Sequence, residues 1–181
     1  MDIKLKRLKA HGIMAAWYYI EEGQTSTIGN VTKKNGNPIS AMSKELTDVG
    51  FVHRGKIHIE NDMADLYMDP SHDLPKRNGM PVWANATPVD GDGVIFCMAT
   101  YNPKHVVTDI HRWRDLSKGE SFDARMIGFM CVVEGNVTIN DTAVSEGDIV
   151  KLSGKDIHVV ATENNVTVAA LQIEAHDPSV V

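Results

Sequence analysis

Val132-Val133-Glu134-Gly135-Asn136-Val137-Thr138-Ile139-Asn140-Asp141, followed shortly by Gly147-Asp148-Ile149-Val150-Lys151-Leu152-Ser153-Gly154-Lys155-Asp156-Ile157-His158, decides the fold. It reads as a strand, a tight turn, a Gly-Asp corner and a returning strand that ends on His158, the second half of a small β-barrel. Gly135 and Gly147 stand where a turning or closely packed backbone penalises a Cβ.

The rest of the chain repeats this texture. Short runs of Val, Ile, Thr and aromatic residues alternate with Gly, Asn and Asp clusters, the pattern of an all-β sandwich or barrel with little helix. Helix is expected only over Ser40 to Val49, with Ser40 as cap, and in a short turn near Leu116. Asn35-Gly36-Asn37-Pro38 and Asp90-Gly91-Asp92-Gly93 mark turns. Residues 69 to 93, with Pro70, Pro75, Pro81 and Pro88, read as one long irregular loop carrying Trp83.

An internal echo divides the chain. Val52-His53-Arg54-Gly55-Lys56-Ile57-His58-Ile59-Glu60-Asn61 aligns without gaps on Val132 to Asp141, matching Val, Gly, alternating aliphatics and a final Asn or Asp. The division it suggests is an N-terminal β-rich half, 1–94, and a C-terminal barrel, 95–181. The competing arrangement is one barrel over 95–175 with an N-terminal β extension. Alternation from Phe51 places His53 on the core face with Ile57 and Ile59, and His58 toward solvent.

Composition bounds the function. A chain of 181 residues, 43% hydrophobic and 23% charged, is long enough for one sizeable core or two small ones. A formal charge of -6 argues against general nucleic-acid binding, which needs a basic surface. Lys4, Lys6, Arg7 and Lys9 would alternate across both faces of a strand, so they read as a solvated terminal segment. Cys97 and Cys131 sit inside apolar runs and read as small buried hydrophobes, which suits a reducing, cytoplasmic setting. No apolar run approaches the ~20 residues of a membrane span, so no membrane partner is expected. Asn-Val-Thr at Asn30, Asn136 and Asn165 reads as turn Asn followed by strand residues.

The opening stretch resembles the cupin superfamily of RmlC-like jelly rolls. The family's second motif, a Gly followed at set intervals by Pro, Gly, His and Asn, falls here on Gly147, Ser153, Lys155, His158 and Thr162. Its first motif, counted back from Gly135, puts the glutamate at Gly128 and the histidines near Phe122, Asp123 and Ala124. The resemblance covers about residues 115 to 175. It implies a cupin-like jelly-roll barrel, either single or as two related halves, and a homodimer or higher oligomer whose sheet edges are covered. The metal ligands of the family are absent from their places, so no cofactor is expected. A divalent metal would need other donors.

Three functions fit these residues. The first is a cupin-like protein that binds a small molecule or sugar without the usual metal, taking His158 as the catalytic candidate and His53, His111 and Trp83 as ligand-binding candidates. The second is an atypical enzyme of isomerase, epimerase or dioxygenase type that uses His158 with His53, His105 or His111. In His105 to Asp115, Asp109, His111 and Trp113 share a strand face, so a carboxylate could orient an imidazole. The third is a structural or assembly module. The sequence fixes no reaction.

Overall fold

The computed structural model describes residues 3–11, 13–29, 32–34, 37–39, 47–61, 64–71, 73–78, 83–101 and 105–175. The chain divides into two compact units, Met1–Pro103 and Lys104–Val181. The described residues form strands and turns with no helix among them, and no helix is long and apolar enough to cross a membrane.

The first unit contains β1 (Ile3–Ala10), β2 (Ile13–Ile20), β3 (Ser26–Gly29), β4 (Thr32–Lys34), β5 (Asn37–Ile39), β6 (Thr47–Arg54), β7 (Lys56–Asn61), β8 (Ala64–Met68), β9 (Asp73–Asn78), β10 (Trp83–Val89) and β11 (Val94–Tyr101). Its main sheets run β1-β2-β11-β6-β9 and β3-β10-β7-β8, and β4 pairs with β5. Tyr18, Ile20, Val52 and Phe96 from the first sheet join Ile28, Ile57, Met68 and Ala86 from the second in one core. Burying each large side chain is worth about 1.5–3 kcal/mol.

The second unit contains β12 (His105–Leu116), β13 (Ser121–Glu134), β14 (Val137–Ile139), β15 (Thr142–Val144), β16 (Ile149–Ala161) and β17 (Val166–Ala175) in the order β12-β17-β13-β16-β14-β15. Every pairing is antiparallel. Met130, Val132, Val137, Ile139, Leu152, Val159 and Val168 form its core. The Gly-Asp corner has a polar logic. Gly147 N donates to Val132 O at 2.7 Å, and the Asp148 carboxylate accepts from Ser145 N at 2.9 Å. Asp148→Ala is therefore expected to cost about 1 kcal/mol, as loss of a capping acceptor does, measured as a lowered urea midpoint. An unchanged midpoint would show that the corner holds without its side chain.

The echo in sequence is an echo in structure. Gly55 and Gly135 both link two strands with φ near +85° (85° and 86°). A Cβ on Gly55 would meet Val94 Cγ2 at 2.9 Å, and one on Gly135 would meet Val166 Cγ2 at 2.7 Å. Val94 opens β11 and Val166 opens β17, so the two glycines do the same work in the two units. Val52, Ile57 and Ile59 lie in one core as Val132, Val137 and Ile139 lie in the other. The partner strands correspond too: β11 lies between β2 and β6 as β17 lies between β12 and β13.

Several expectations are corrected by the strands. The expected loop 69–93 contains β9 and β10. Its prolines are compatible with pairing because Pro75 lies on an edge strand and Pro88 lies past Ala86, where β3 stops. The division at 94/95 falls inside β11, after its first residue; β11 is bonded between β2 and β6, and the compact units part after Pro103. Of the helix expected over Ser40 to Val49, Thr47–Val49 is strand, and Ser40 to Leu46 lies outside the described residues. Leu116 ends β12, and the turn follows it, with Glu120 N donating to Ser117 O at 2.9 Å. Asn35 and Gly36 also lie outside the described residues, and the Asp90-Gly91 turn is present. Neither cysteine forms a disulfide; Cys97 is buried and Cys131 half-buried.

Candidate functional site

His158 lies within β16 rather than at its end, directly opposite Asp123 on β13. Partners across an antiparallel pair share a face. Phe122 and Val159, one residue over, pack into the core, so Asp123 and His158 point outward. His158 Nδ1 is 2.7 Å from Asp123 Oδ1, with the side chains 52% and 83% exposed. The backbone around the histidine is also held: Asn140 Oδ1 accepts from His158 N at 2.8 Å, and Asn140 N donates to His158 O at 2.9 Å.

Two residues along, Arg125 faces Asp156 on the same outer surface. A bulge follows: Ile127 pairs with Ser153, so Gly154 and Lys155 stand against Met126 alone. Arg125 Nε donates to Gly154 O at 3.1 Å across that bulge. Asp123, Ala124, Arg125, Asn140, Asp156, Ile157 and His158 line an open depression of about 370 Å³. With Nδ1–H committed to the Asp123 carboxylate, the neutral imidazole presents Nε2 as an acceptor.

The other candidates fall elsewhere. His111 lies on β12, and its Nε2 is 2.8 Å from Gln172 Oε1 on β17. It stacks toward Trp113 at 6.1 Å, and Trp113 lies on Phe122 at 4.1 Å with the planes 6° apart. Trp113 and Phe122 pack on the core, so this column faces inward, opposite to the His158 surface. Asp109 does not orient His111. The two share a strand face, since the register is regular from Asp109 to His111, but the Asp109 carboxylate accepts from the backbone N of Ile110 at 2.8 Å. Gln172, which does hold the imidazole, was missed because nothing local marks a partner 61 residues away.

His53 stands at the β-bulge of β6, where Arg54 pairs with Ile95 and Val52 with Phe96. The extra residue reverses the alternation, so Val52 rather than His53 joins the core. Trp83 opens β10, where it pairs with Gly29; its side chain and those of His105 and His72 lie outside the described residues. Within the second unit, His111 and His158 lie on opposite faces of the sheet and do not meet.

The donor set does not fit the metal of the cupin motif. Asp123 and His158 are two donors, and no group of three His, Cys, Asp or Glu with metal-holding geometry occurs among the described residues. The place of the motif's glutamate is closed to any side chain. Gly128 has φ +147°, and a Cβ there would lie 1.8 Å from Leu171 O.

Two antiparallel units, each packed around its own apolar core, with the Gly-Asp corner in the second, make this an all-β, cupin-like jelly-roll fold. No family model matches the sequence, and no curated protein matches it. Among solved structures the chain is similar to AerE from Microcystis aeruginosa, with TM-score 0.64, 8% identity, and 96% of this chain and 93% of that chain covered. It is similar to YhhW from Escherichia coli, with TM-score 0.57, 12% identity, and coverage of 97% and 99%. A cupin 2 conserved barrel domain protein from Leptotrichia buccalis matches at TM-score 0.45 and 11% identity, with coverage of 96% and 89%. At these identities the likeness to the first two speaks for the fold alone.

Proposed function

We propose that the chain is a cupin-type binding protein for a small polar molecule, sugars being the favoured class, that works without the family's usual metal site. The observation that carries this reading is the His158–Asp123 pair on the wall of the open depression beside Arg125, Asn140 and Asp156. An exposed pair of this kind contributes little to stability, so the needs of the fold do not account for it. Its surroundings alternate acceptors (Asp123, Asp156, the Asn140 carbonyl) with donors (Arg125, the Asn140 amide), the mixture that a vicinal diol satisfies.

Thermal denaturation with a panel of neutral sugars, sugar acids and amino sugars tests it. A ligand at a hundredfold excess over its Kd stabilises the native state by about 2.7 kcal/mol. His158→Ala and Asp123→Ala are expected to abolish that gain while leaving the unliganded midpoint in place. Ligand-induced stabilisation that survives both substitutions would remove the depression from consideration. The enzyme reading rests on one further feature: Asp123 fixes the imidazole tautomer, leaving Nε2 to take a proton from a bound hydroxyl or carbon acid. Turnover of the bound ligand, lost in Asp123→Asn, would favour it over binding alone.

A further inference from the structure

The outer face of the sheet β3-β10-β7-β8 in the first unit carries a second arrangement, independent of the His158 depression. Registers place its side chains in two rows. Asp65, Glu60, Asn85 and Thr27 are consecutive partners across the four strands, and Tyr67, His58 and Thr87 form the next row. Thr25 extends that row, its Oγ1 lying 2.9 Å from Thr87 Oγ1. At about 4.8 Å between strands, each row spans about 14 Å.

Tyr67 is 60% exposed, the most open large apolar side chain among the described residues. It is nonetheless held. Its ring stacks on His58 at 4.5 Å with the planes 18° apart, and His58 Nε2 is 2.6 Å from Asp65 Oδ1. His58 is only 20% exposed, so the imidazole lies beneath and the phenol ring on top. Lys56 Nζ lies 5.7 Å from the ring centroid and 3.8 Å from Asp90 Oδ2, so an ion partner remains if the ring is covered.

The corresponding hairpin of the second unit does without this pair. Aligning the two hairpins sets His58 against Thr138 and Tyr67 against Ala143, which are likewise direct partners on the outer face of β14 and β15. Small residues satisfy the same strand pairing there. An exposed, pre-oriented aromatic on a sheet face rimmed by carboxylate, amide and hydroxyl groups matches the C–H face and hydroxyl edge of a pyranose ring. Glu60 and Asp65 disfavour phosphorylated ligands and accept from sugar hydroxyls.

We propose that this face is a platform for a neutral polysaccharide, with a sugar ring stacked on Tyr67 and its hydroxyls bonded to Glu60, Asp65 and Asn85. Native gel electrophoresis of the whole chain through laminarin, xylan, galactomannan, mannan and dextran tests it. Retardation is expected with at least one of the five. Tyr67→Ala should weaken it by about tenfold or more, and Tyr67→Trp should retain it. Tyr67 is exposed, so its alanine variant should keep the wild-type melting midpoint. Failure of all five polysaccharides to retard the chain, or equal retardation of Tyr67→Ala, overturns the proposal. Loss in His158→Ala with retention in Tyr67→Ala also overturns it, and assigns the sugar to the depression instead.

Discussion

Gly128→Glu, which would restore the carboxylate of the cupin motif, is expected to unfold the second unit rather than build a metal site. Gly128 pairs with Leu152 on one side and Gln172 on the other, in the middle of the sheet. Its φ of +147° is one that residues with a Cβ rarely adopt, and the added atom would lie 1.8 Å from Leu171 O and 3.0 Å from the Leu171 carbonyl carbon. Both contacts are backbone, so relief requires β13 and β17 to separate and lose ladder hydrogen bonds. Backbone strain of about 1–3 kcal/mol adds to that disruption, and the total should exceed about 4 kcal/mol. A domain holds only about 5–15 kcal/mol in all. Gly128→Ala carries the same Cβ without the charge and should lose most of the same stability, which separates steric cause from electrostatic. A urea melt of Gly128→Glu that matches wild type, or stoichiometric metal bound by the folded variant, would show that the strand accommodates the side chain after all.

What the sequence disclosed, and what it hid, follows from the range of the forces involved. The hairpin at Gly135, the Gly-Asp corner and the relation between Val52–Asn61 and Val132–Asp141 are set by neighbours within a few residues, and alternation with glycine reveals them. Bulges are written in no such pattern. One at His53, one near Thr108 and one opposite Met126 each reverse which face the following residues take. The one at His53 is why Val52, and not the imidazole, joins the core. The partners that matter lie far off in sequence: Asp123 is 35 residues from His158, and Gln172 is 61 from His111. Motif counting did place Asp123 and His158 at equivalent points of two separate motifs, but only the strand register shows that they touch and face outward.

Phe96→Ala should be the most damaging single truncation in the first unit, and the reason bears on where ligands can sit. The run Val94 to Ala99 is apolar throughout, and every residue in it is buried. Val94, Phe96 and Met98 enter the core with Tyr18 and Val52, while Ile95 and Cys97 are buried on the opposite face of β11. A strand buried on both faces reads as a continuous apolar run and leaves no surface for a ligand. Phe96 is fully buried, with its ring 6.2 Å from that of Tyr18. Removing the ring forfeits its burial and leaves a cavity between two sheets that cannot both close on it, for about 3–5 kcal/mol. The midpoint of urea unfolding should fall accordingly with the slope unchanged, whereas Tyr67→Ala should hardly move it. A loss below about 1 kcal/mol for Phe96→Ala would mean that the core repacks freely. The contrast separates two kinds of aromatic residue in one unit: Phe96 is required by the fold, and Tyr67, which the fold does not require, is left to a role at the surface.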